Sequence, residues 1–563
     1  MNKFNLCYLA VALSLLPFSH AAFAEINPLT QELQRLKHQE LAEDAEKALQ
    51  KADKFLNPTA SEPVPAEEIV VDDKLPKITK ISVDTLGLPI NVNFQSVIER
   101  YQGSNISSHQ IFTISRVITD MLYQAGYVTS AVGLKSTDLS DGHLQFLVYW
   151  GEVDQYLVNQ EQPTAFKDKA MLVVLPAFKH NVFNLHHLDQ FIEMMNTSNK
   201  SVKVDVQPSD KEGKSNLNFV TQRSVWPTFQ LGYNNSGTEN NANGRNQATF
   251  SVRMGDVLGT NDEWNISTGY RFYRHHHNNN QINYSINYIQ PLSFYTFNTK
   301  VSQSTYEREV KGNNGSYSSN GKTNTLNLKL SRLIFRDKES LFSLYGELEF
   351  KKRDNFIVNR KVLNRHENKM NVGLSYTTNL FSGKLYSELT YANGLNWFAS
   401  DPLAYDRQSD KTLRVFSGNI TWQKPTAILA RLVNYQLRVG AQYSRYHLFS
   451  DNQFSLGDEY TVRGFKGGVI SGENGAYLSQ TLSLPFYPQK YAISQITPFI
   501  GFDIGQVRHK SDKPRETISG VATGIKTTIA NRLSLSLSYA KPLKDVKHNK
   551  NKSVVYFNGS VSF

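Results

Sequence analysis

From about residue 227 onward, one segment after another alternates apolar and polar side chains. Val433, Tyr435, Leu437, Val439, Ala441 and Tyr443 interleave with Asn434, Gln436, Arg438, Gly440, Gln442 and Ser444. Leu326, Leu328 and Leu330 interleave with Asn327, Lys329 and Ser331, and Leu533, Leu535 and Leu537 with Ser534, Ser536 and Ser538. Side chains alternate across a strand, so each segment has two chemically opposite faces. A soluble sandwich turns the apolar face toward another sheet; an outer-membrane barrel turns it toward lipid and lines a wet lumen with the polar one. Sixteen such segments lie near 227–234, 246–255, 263–272, 281–289, 294–303, 323–335, 341–352, 368–378, 383–393, 411–423, 432–446, 474–484, 495–508, 518–529, 532–541 and 553–563. The spacers 234–245, 304–322, 353–366, 393–410 and 447–473 are long and polar, whereas 336–340, 379–383 and 530–532 are tight. An even strand number, with long loops on one side and short turns on the other, predicts an all-β membrane barrel over 225–563.

The N-terminus carries a matching address. Lys3 precedes an apolar run through Leu6, Leu9, Val11, Leu13 and Leu16, and Ala22-Phe23-Ala24 forms a small-x-small cleavage site before Glu25. Residues 1–24 therefore read as a secretory signal peptide, too short in its apolar run for a spanning anchor. The single cysteine, Cys7, falls inside it. The remaining chain has no thiol for a disulfide, a Cys-based zinc site or a nucleophile. Beyond the signal no run of about 18 apolar residues occurs, so no transmembrane helix is expected. The mean hydropathy of −0.43 does not argue against a barrel, because lumen residues dilute the lipid-facing ones. The formal charge of +11 raises a nucleic-acid partner. Its lysines are scattered, however, and gather in a presumed loop at Lys541, Lys544, Lys547, Lys550 and Lys552. An exported chain has no nucleic-acid partner to meet.

Residues 25–56 contain one predicted helix, with Leu33, Leu36, Ala45, Ala48, Leu49 and Ala52 forming a narrow apolar stripe. So thin a stripe buries little, and the helix must dock in a polar place or stay mobile. Pro58, Pro63, Pro65 and Pro76 mark 57–76 as an extended linker. Two small α/β units follow, at 77–151 and 152–224. The first has a strand at 78–83, an amphipathic helix at 108–125, and strands at 127–134 and 143–149. The second has a helix at 185–196 and strands at 202–206 and 216–220.

No G-x-S-x-G elbow, H-E-x-x-H or P-loop occurs, so no catalytic residue and no cofactor are assigned. His275-His276-His277 would point to alternate faces of a strand and precedes an Asn run, which reads as a loop tip rather than a metal site. One loop stands out. The long spacer at 447–473 carries Val462-Arg463-Gly464-Phe465, then Gly467-Gly468. Those glycines permit tight turns and close approach to a wall. Arg463 would then enter the lumen and need an anion. In Gly501-Phe502-Asp503-Ile504-Gly505, the apolar Ile500, Phe502 and Ile504 share the lipid face, so Asp503 points inward. A guanidinium can clasp a carboxylate with two hydrogen bonds. Pattern alone equally admits two unrelated charges.

These residues carry a resemblance. The order of signal, helix, Pro-rich linker, two α/β units and sixteen strands resembles the two-partner secretion transporters, the TpsB proteins that export haemolysins and filamentous haemagglutinins. Val462 to Phe465 match their V-R-G-F/Y loop signature, and Gly501 to Gly505 their F/G-x-D-x-G strand motif. Gly126-Tyr127-Val128-Thr129-Ser130, with Gly142-His143-Leu144 and Gly151-Glu152-Val153, resembles a first POTRA domain. Leu185-His186-His187-Leu188-Asp189-Gln190 resembles the L-x-x-L-E-Q helix of a second, with Asp for Glu. The resemblance implies an outer-membrane location with periplasmic POTRA domains that catch an unfolded TpsA-type exoprotein by its N-terminal secretion domain. It implies client contact near Tyr127, Val128, Thr129, Leu185 and Leu188, and a pore-plug helix marked by Leu33, Leu36 and Leu49. It also implies a loop tethered through Arg463 to Asp503. The partners it implies are the exoprotein, outer-membrane lipid and lipopolysaccharide, and barrel-assembly machinery for insertion. It does not name the client or show whether export also activates it. The alternatives are a barrel-assembly factor of the same superfamily, disfavoured by only two POTRA units, and a passive porin or receptor.

Overall fold

The computed structural model describes residues 28–55, 77–88, 90, 92–135, 141–175, 182–237, 246–272, 279–312, 315–336, 339–398, 401, 413–428, 431–488, 492–510, 514–544 and 552–563. The signal segment 1–24, the linker 57–76 and the triplet His275, His276 and His277 lie outside them.

The N-terminal helix α1 (Pro28–Phe55) has 28 residues. At 1.5 Å per residue it is about 42 Å long, more than the ~30 Å of a bilayer core. The first α/β unit contains β1 (Lys80–Asp84), α2 (Gln95–Tyr101), α3 (Ser108–Gln124), β2 (Ala131–Leu134) and β3 (His143–Tyr149), in sheet order β1-β3-β2. Helix α3 starts on a capping box between Ser107 and Gln110, which satisfies two otherwise orphan N–H groups. Its inner face, Ile111, Ile114 and Ile118, packs on Ile81, Leu144 and Phe146. The second unit contains β4 (Glu152–Val158), α4 (Phe166–Met171), α5 (Leu185–Met195), β5 (Lys200–Pro208) and β6 (Lys214–Arg223), in order β4-β6-β5. Leu188, Phe191 and Met195 of α5 pack on Val202, Leu217 and Phe219.

The rest is a closed barrel of sixteen antiparallel strands. These are β7 (Thr228–Asn234), β8 (Asn246–Gly255), β9 (Glu263–Phe272), β10 (Asn280–Leu292), β11 (Tyr295–Gly312), β12 (Gly315–Arg336), β13 (Ser340–Ile357), β14 (Arg360–Leu380), β15 (Gly383–Leu395), β16 (Arg414–Ile428) and β17 (Arg431–Ser444), then β20 (Asn474–Ser483), β21 (Ile493–Arg508), β22 (Glu516–Ile529), β23 (Leu533–Pro542) and β24 (Val554–Ser562). The ring shuts where β24 pairs with β7. The short turns follow the right-handed twist of their strands: Phe381 and Ser382, and Ala530 and Asn531, all have positive φ, as two-residue hairpin turns require.

Three expectations are corrected. The spacers at 304–322 and 353–366 are not loops. They are strand extensions, joined at Gly312↔Gly315 and by a two-residue turn at Val358 and Asn359. These extensions are mostly polar on both faces, with apolar residues such as Phe356 and Val362 only scattered, because above the lipid band both faces meet water, so the alternation that betrays a strand disappears. Tyr127 to Ser130 is a turn and not part of a strand. Gly126 sits at φ +95°, the Tyr127 N–H donates to the Leu122 carbonyl, and the Ser130 N–H donates to the Tyr127 carbonyl. Helices α2 and α4 were not anticipated; each is too short to show a helical period.

Candidate functional site

The lumen holds two pieces of the chain itself. The first is the loop between β17 and β20. It carries a short hairpin, β18 (Phe454–Leu456) with β19 (Ile470–Gly472). Between them Asp458 closes a turn by accepting from the Tyr460 and Thr461 N–H groups. The loop builds a small apolar core of its own: Leu456, Val462, Phe465 and Ile470 pack on Val507 and Ile518 of the barrel wall.

That core delivers Arg463 to Asp503. Arg463 Nε donates to Asp503 Oδ2 at 2.7 Å and Nη2 to Oδ1 at 2.7 Å, while the Arg463 backbone N–H donates to Oδ2 at 2.9 Å. Nη2 also donates to the Gln480 carbonyl at 3.0 Å. Asp503 is fully buried on the inner face of β21, between the lipid-facing Phe502 and Ile504. Two glycines make room. A Cβ at Gly501 would lie 2.2 Å from Arg463 Nη2, and one at Gly520 1.9 Å from the Arg463 carbonyl oxygen. Gly464 takes φ +106°, a conformation that suits glycine. Its N–H donates to Tyr556 Oη, and the Tyr556 hydroxyl donates to the Phe465 carbonyl. The whole V-R-G-F segment is thus fixed to β21, β22 and β24.

The second occupant is α1. Its start meets the outer end of the barrel: Thr30 Oγ1 donates to Asp451 Oδ1 at 2.6 Å, and Asp451 pairs with Arg353. Its far end meets the second α/β unit, where Lys51 pairs with Glu193 of α5 at 2.8 Å. Glu193 in turn pairs with Arg336 of β12 at 3.0 Å. Between the ends, Glu32 pairs with Arg271 of β9 at 2.8 Å and with Arg35 at 3.0 Å, and Gln247 donates to Glu32 Oε1. Lys300 of β11 pairs with Glu40. His38 Nδ1 lies 2.7 Å from Asp458 Oδ2, so helix and loop also touch each other. The helix therefore runs the length of the lumen on polar contacts.

The residues singled out in the sequence fall into two groups. Arg463 and Asp503, with Val462, Gly464, Phe465, Gly501 and Gly505, come together in one place. Of the residues named for client contact, Tyr127, Val128, Thr129 and Leu185 are half-buried. Leu188 is wholly buried in the second core, and Leu185 and Val128 pack against it. Tyr127 stacks edge-on against Trp150 at 5.0 Å, and Thr129 lies against Gly151. Val128, and the Leu185 N–H that donates to the Gly126 carbonyl, join the two α/β units, while Tyr127 and Thr129 pack within the first. In α1, Leu49 is buried but Leu33 and Leu36 are only half-buried. Beside the small apolar set Leu29, Ala45, Leu49 and Ala52, the polar Thr30, Glu32 and Arg35 are also buried. The acid Glu32 within an apolar-spaced helix was the available signal, but nothing in sequence ties it to Arg271.

Among the described residues no cluster of three or more His, Cys, Asp or Glu is placed to hold a metal. A barrel whose lumen holds its own helix and its own loop, with two α/β units at the mouth, is built as an outer-membrane translocator rather than a diffusion pore. The comparisons define it further. Residues 213–527 match the family described as haemolysin secretion/activation protein ShlB/FhaC/HecB, and residues 77–151 match the POTRA domain, ShlB-type. The first match spans more than half of the chain, which belongs to this family of two-partner secretion transporters. The outer membrane transporter CdiB of Escherichia coli is 28% identical over 442 residues, covering 76% of this chain and 72% of that protein. The hemolysin transporter protein ShlB of Serratia marcescens is 25% identical over 429 residues, 74% of each. The solved structure of CdiB from Escherichia coli shares the fold with a TM-score of 0.84 at 23% identity, over 96% of this chain and 100% of that one. That of CdiB from Acinetobacter baumannii has a TM-score of 0.76 at 19% identity, over 96% and 99%. The protein is an outer-membrane transporter with its POTRA domains in the periplasm. Its relatives are transporters and not enzymes.

Proposed function

We propose that this transporter captures one unfolded exoprotein in the periplasm through its POTRA pair and passes it outward through the barrel, with α1 as the resting plug. The observation that carries the reading is the way α1 is held. It fills the lumen from the Asp451 rim to the POTRA helix α5 with few buried apolar side chains, and beside the buried Glu32–Arg271 pair its attachments include exposed ion pairs, Lys51 with Glu193 and Lys300 with Glu40, that lumen water can replace. Helix α1 leaves, and the loop fixed by Arg463 and Asp503 stays to shape the open pore. Capture falls to the exposed edges of the POTRA sheets, β2 and β5, where an extended client can add a strand. No ATP is present in the periplasm, so folding of the client outside supplies the drive. Lipid and lipopolysaccharide surround the barrel, and barrel-assembly machinery inserts it.

The test is binding of the client's N-terminal domain to a fragment covering 77–224. Each POTRA unit has a core of its own. Micromolar or weaker binding is expected, as for coupled folding and binding of a disordered segment. No binding with the client unfolded overturns capture by the POTRA pair.

A further inference from the structure

Where the second POTRA unit meets the barrel, four chain segments, the start of β5 among them, are tied into one polar node. Lys200 Nζ lies 2.6 Å from Asp256 Oδ1 and 2.7 Å from Asn261 Oδ1, with its side chain fully buried. Arg223, at the end of β6, pairs with Asp256 at 3.3 Å and with Asp168 of α4 at 2.8 Å. Lys167, also on α4, donates to the Asp256 carbonyl at 3.2 Å. A Cβ at Gly259 would lie 2.8 Å from Lys167 Cγ. Helix α4, the β6–β7 connection and the β8–β9 turn are therefore one rigid body.

Each of these three segments carries large apolar side chains that nothing in the fold covers. Val225 and Trp226, just after Arg223, are 90% and 78% exposed. Val257 and Leu258, just after Asp256, are 47% and 50% exposed, and Phe166, just before Lys167, is 74% exposed. An isolated exposed apolar side chain needs no account; five around one buried node do. The node itself explains their rigidity but not their chemistry.

The position of the patch supplies the occupant. Val225 and Trp226 lead directly into β7, whose Phe229 and Leu231 begin the lipid-facing band, and Val257 follows β8, whose Phe250 belongs to that band and stacks on Phe229. The patch thus continues the lipid-facing surface onto a periplasmic domain, at the level where aromatic side chains favour the interface. Exposed Lys169, three residues along α4 from Phe166, adds a positive charge that suits lipid phosphates. We infer that this face of the second POTRA unit is a membrane-docking surface, with Phe166, Trp226, Val257 and Leu258 seated in the inner leaflet of the outer membrane. Its ligand is a phospholipid surface, and its effect is to hold the unit at one tilt against the pore mouth. The inference does not depend on how the client is captured or exported.

The test uses the full chain folded into nanodiscs of phosphatidylethanolamine and phosphatidylglycerol, with acyl chains either plain or brominated near the headgroup. Trp226 is one of five tryptophans, so its signal is the difference between wild type and Trp226→Phe. Phe166→Trp and, separately, Leu258→Trp in the Trp226→Phe background place reporters on α4 and on the turn. Gel heat-modifiability selects folded barrels. All three reporters are expected to lose roughly half their emission in brominated lipid, as for side chains buried ~5–10 Å into the interface. Quenching of Trp226 alone would reduce the feature to an ordinary barrel girdle and overturn the inference. So would α4 and turn reporters that ignore bromine but respond to added client domain or to a second copy of the chain.

Discussion

The loop and the helix share one lumen but are held there by different physics. The loop tip has an apolar core, a doubly hydrogen-bonded ion pair sealed from water, and glycines without which it does not fit. The helix has few buried apolar side chains and a buried ion pair, Glu32 with Arg271, and spreads the rest of its attachment over exposed polar contacts such as Lys300 with Glu40 and Lys51 with Glu193. Removing one partner from a buried pair leaves an uncompensated charge, at about 3–5 kcal/mol. Exposed pairs contribute about 0–1 kcal/mol each. The contrast separates a fitted part from a removable one, and it can be broken at several points.

The largest effect is expected at the lock. Arg463→Ala and Asp503→Ala should each abolish most secretion while the barrel still inserts, and the double variant should be little worse than either, because the two act as a unit. The measurement is exported client normalised to membrane-inserted barrel. Additive losses would mean that the pair does not work as one. Next comes Gly520→Ala, whose Cβ would meet the Arg463 carbonyl oxygen at 1.9 Å; it should displace the loop and lower secretion without touching either charge. Wild-type export from that variant would show the loop to be loosely fitted after all.

Deleting residues 27–56 should raise single-channel conductance in planar bilayers while secretion largely survives. Unchanged conductance would refute the plug. A smaller change is expected of Glu32→Gln, which leaves Arg271 and Arg35 without their carboxylate. A weakening of helix docking by about 3–5 kcal/mol, as for a buried pair that loses one partner, should appear as more frequent openings with unaltered open-pore conductance. Closed behaviour like that of the wild type would move the anchor elsewhere.

The smallest effect is a pH dependence at the loop base. Burial raises the Glu473 carboxyl, but His509 and the Lys510 N–H outweigh it and hold the group at about 2. A carboxylate held below its ordinary value of about 4.3 stabilises the fold above that value and ceases to do so as pH falls toward 2. The difference in loop proteolysis between wild type and Glu473→Gln should shrink as pH falls below about 4. A difference that grows on acidification would reverse the assignment.

How legible this was depended on what each residue faces. The lipid band wrote itself into the sequence because hydrocarbon tolerates only apolar partners, and every one of the sixteen strands was placed by it. The extensions of β11 to β14 were missed because water on both faces imposes no period. Arg463 and Asp503 stood out because each sits among glycines that a mobile loop does not need. Glu32 and Arg271, 239 residues apart, carry no local mark, since a charged pair in a wet lumen needs only a reachable opposite charge. The POTRA motifs were legible as motifs but not as roles: Leu188 is buried in the second core and Val128 packs against it, because a short motif records packing as readily as recognition.

The seam between β7 and β24 has one more implication. Phe229 and Phe563 exchange backbone hydrogen bonds across it, although some three hundred residues separate them. Every other strand in the ring finds its partner in the adjacent segment of chain, whereas this pairing must close the longest loop in the barrel. The wall can therefore form as a curled ribbon, strand by strand, before it has an inside at all. Only when its last strand finds its first do the loop and the helix acquire a chamber to be enclosed in. The order of assembly, and not only the final contacts, thus decides whether this gate is built shut.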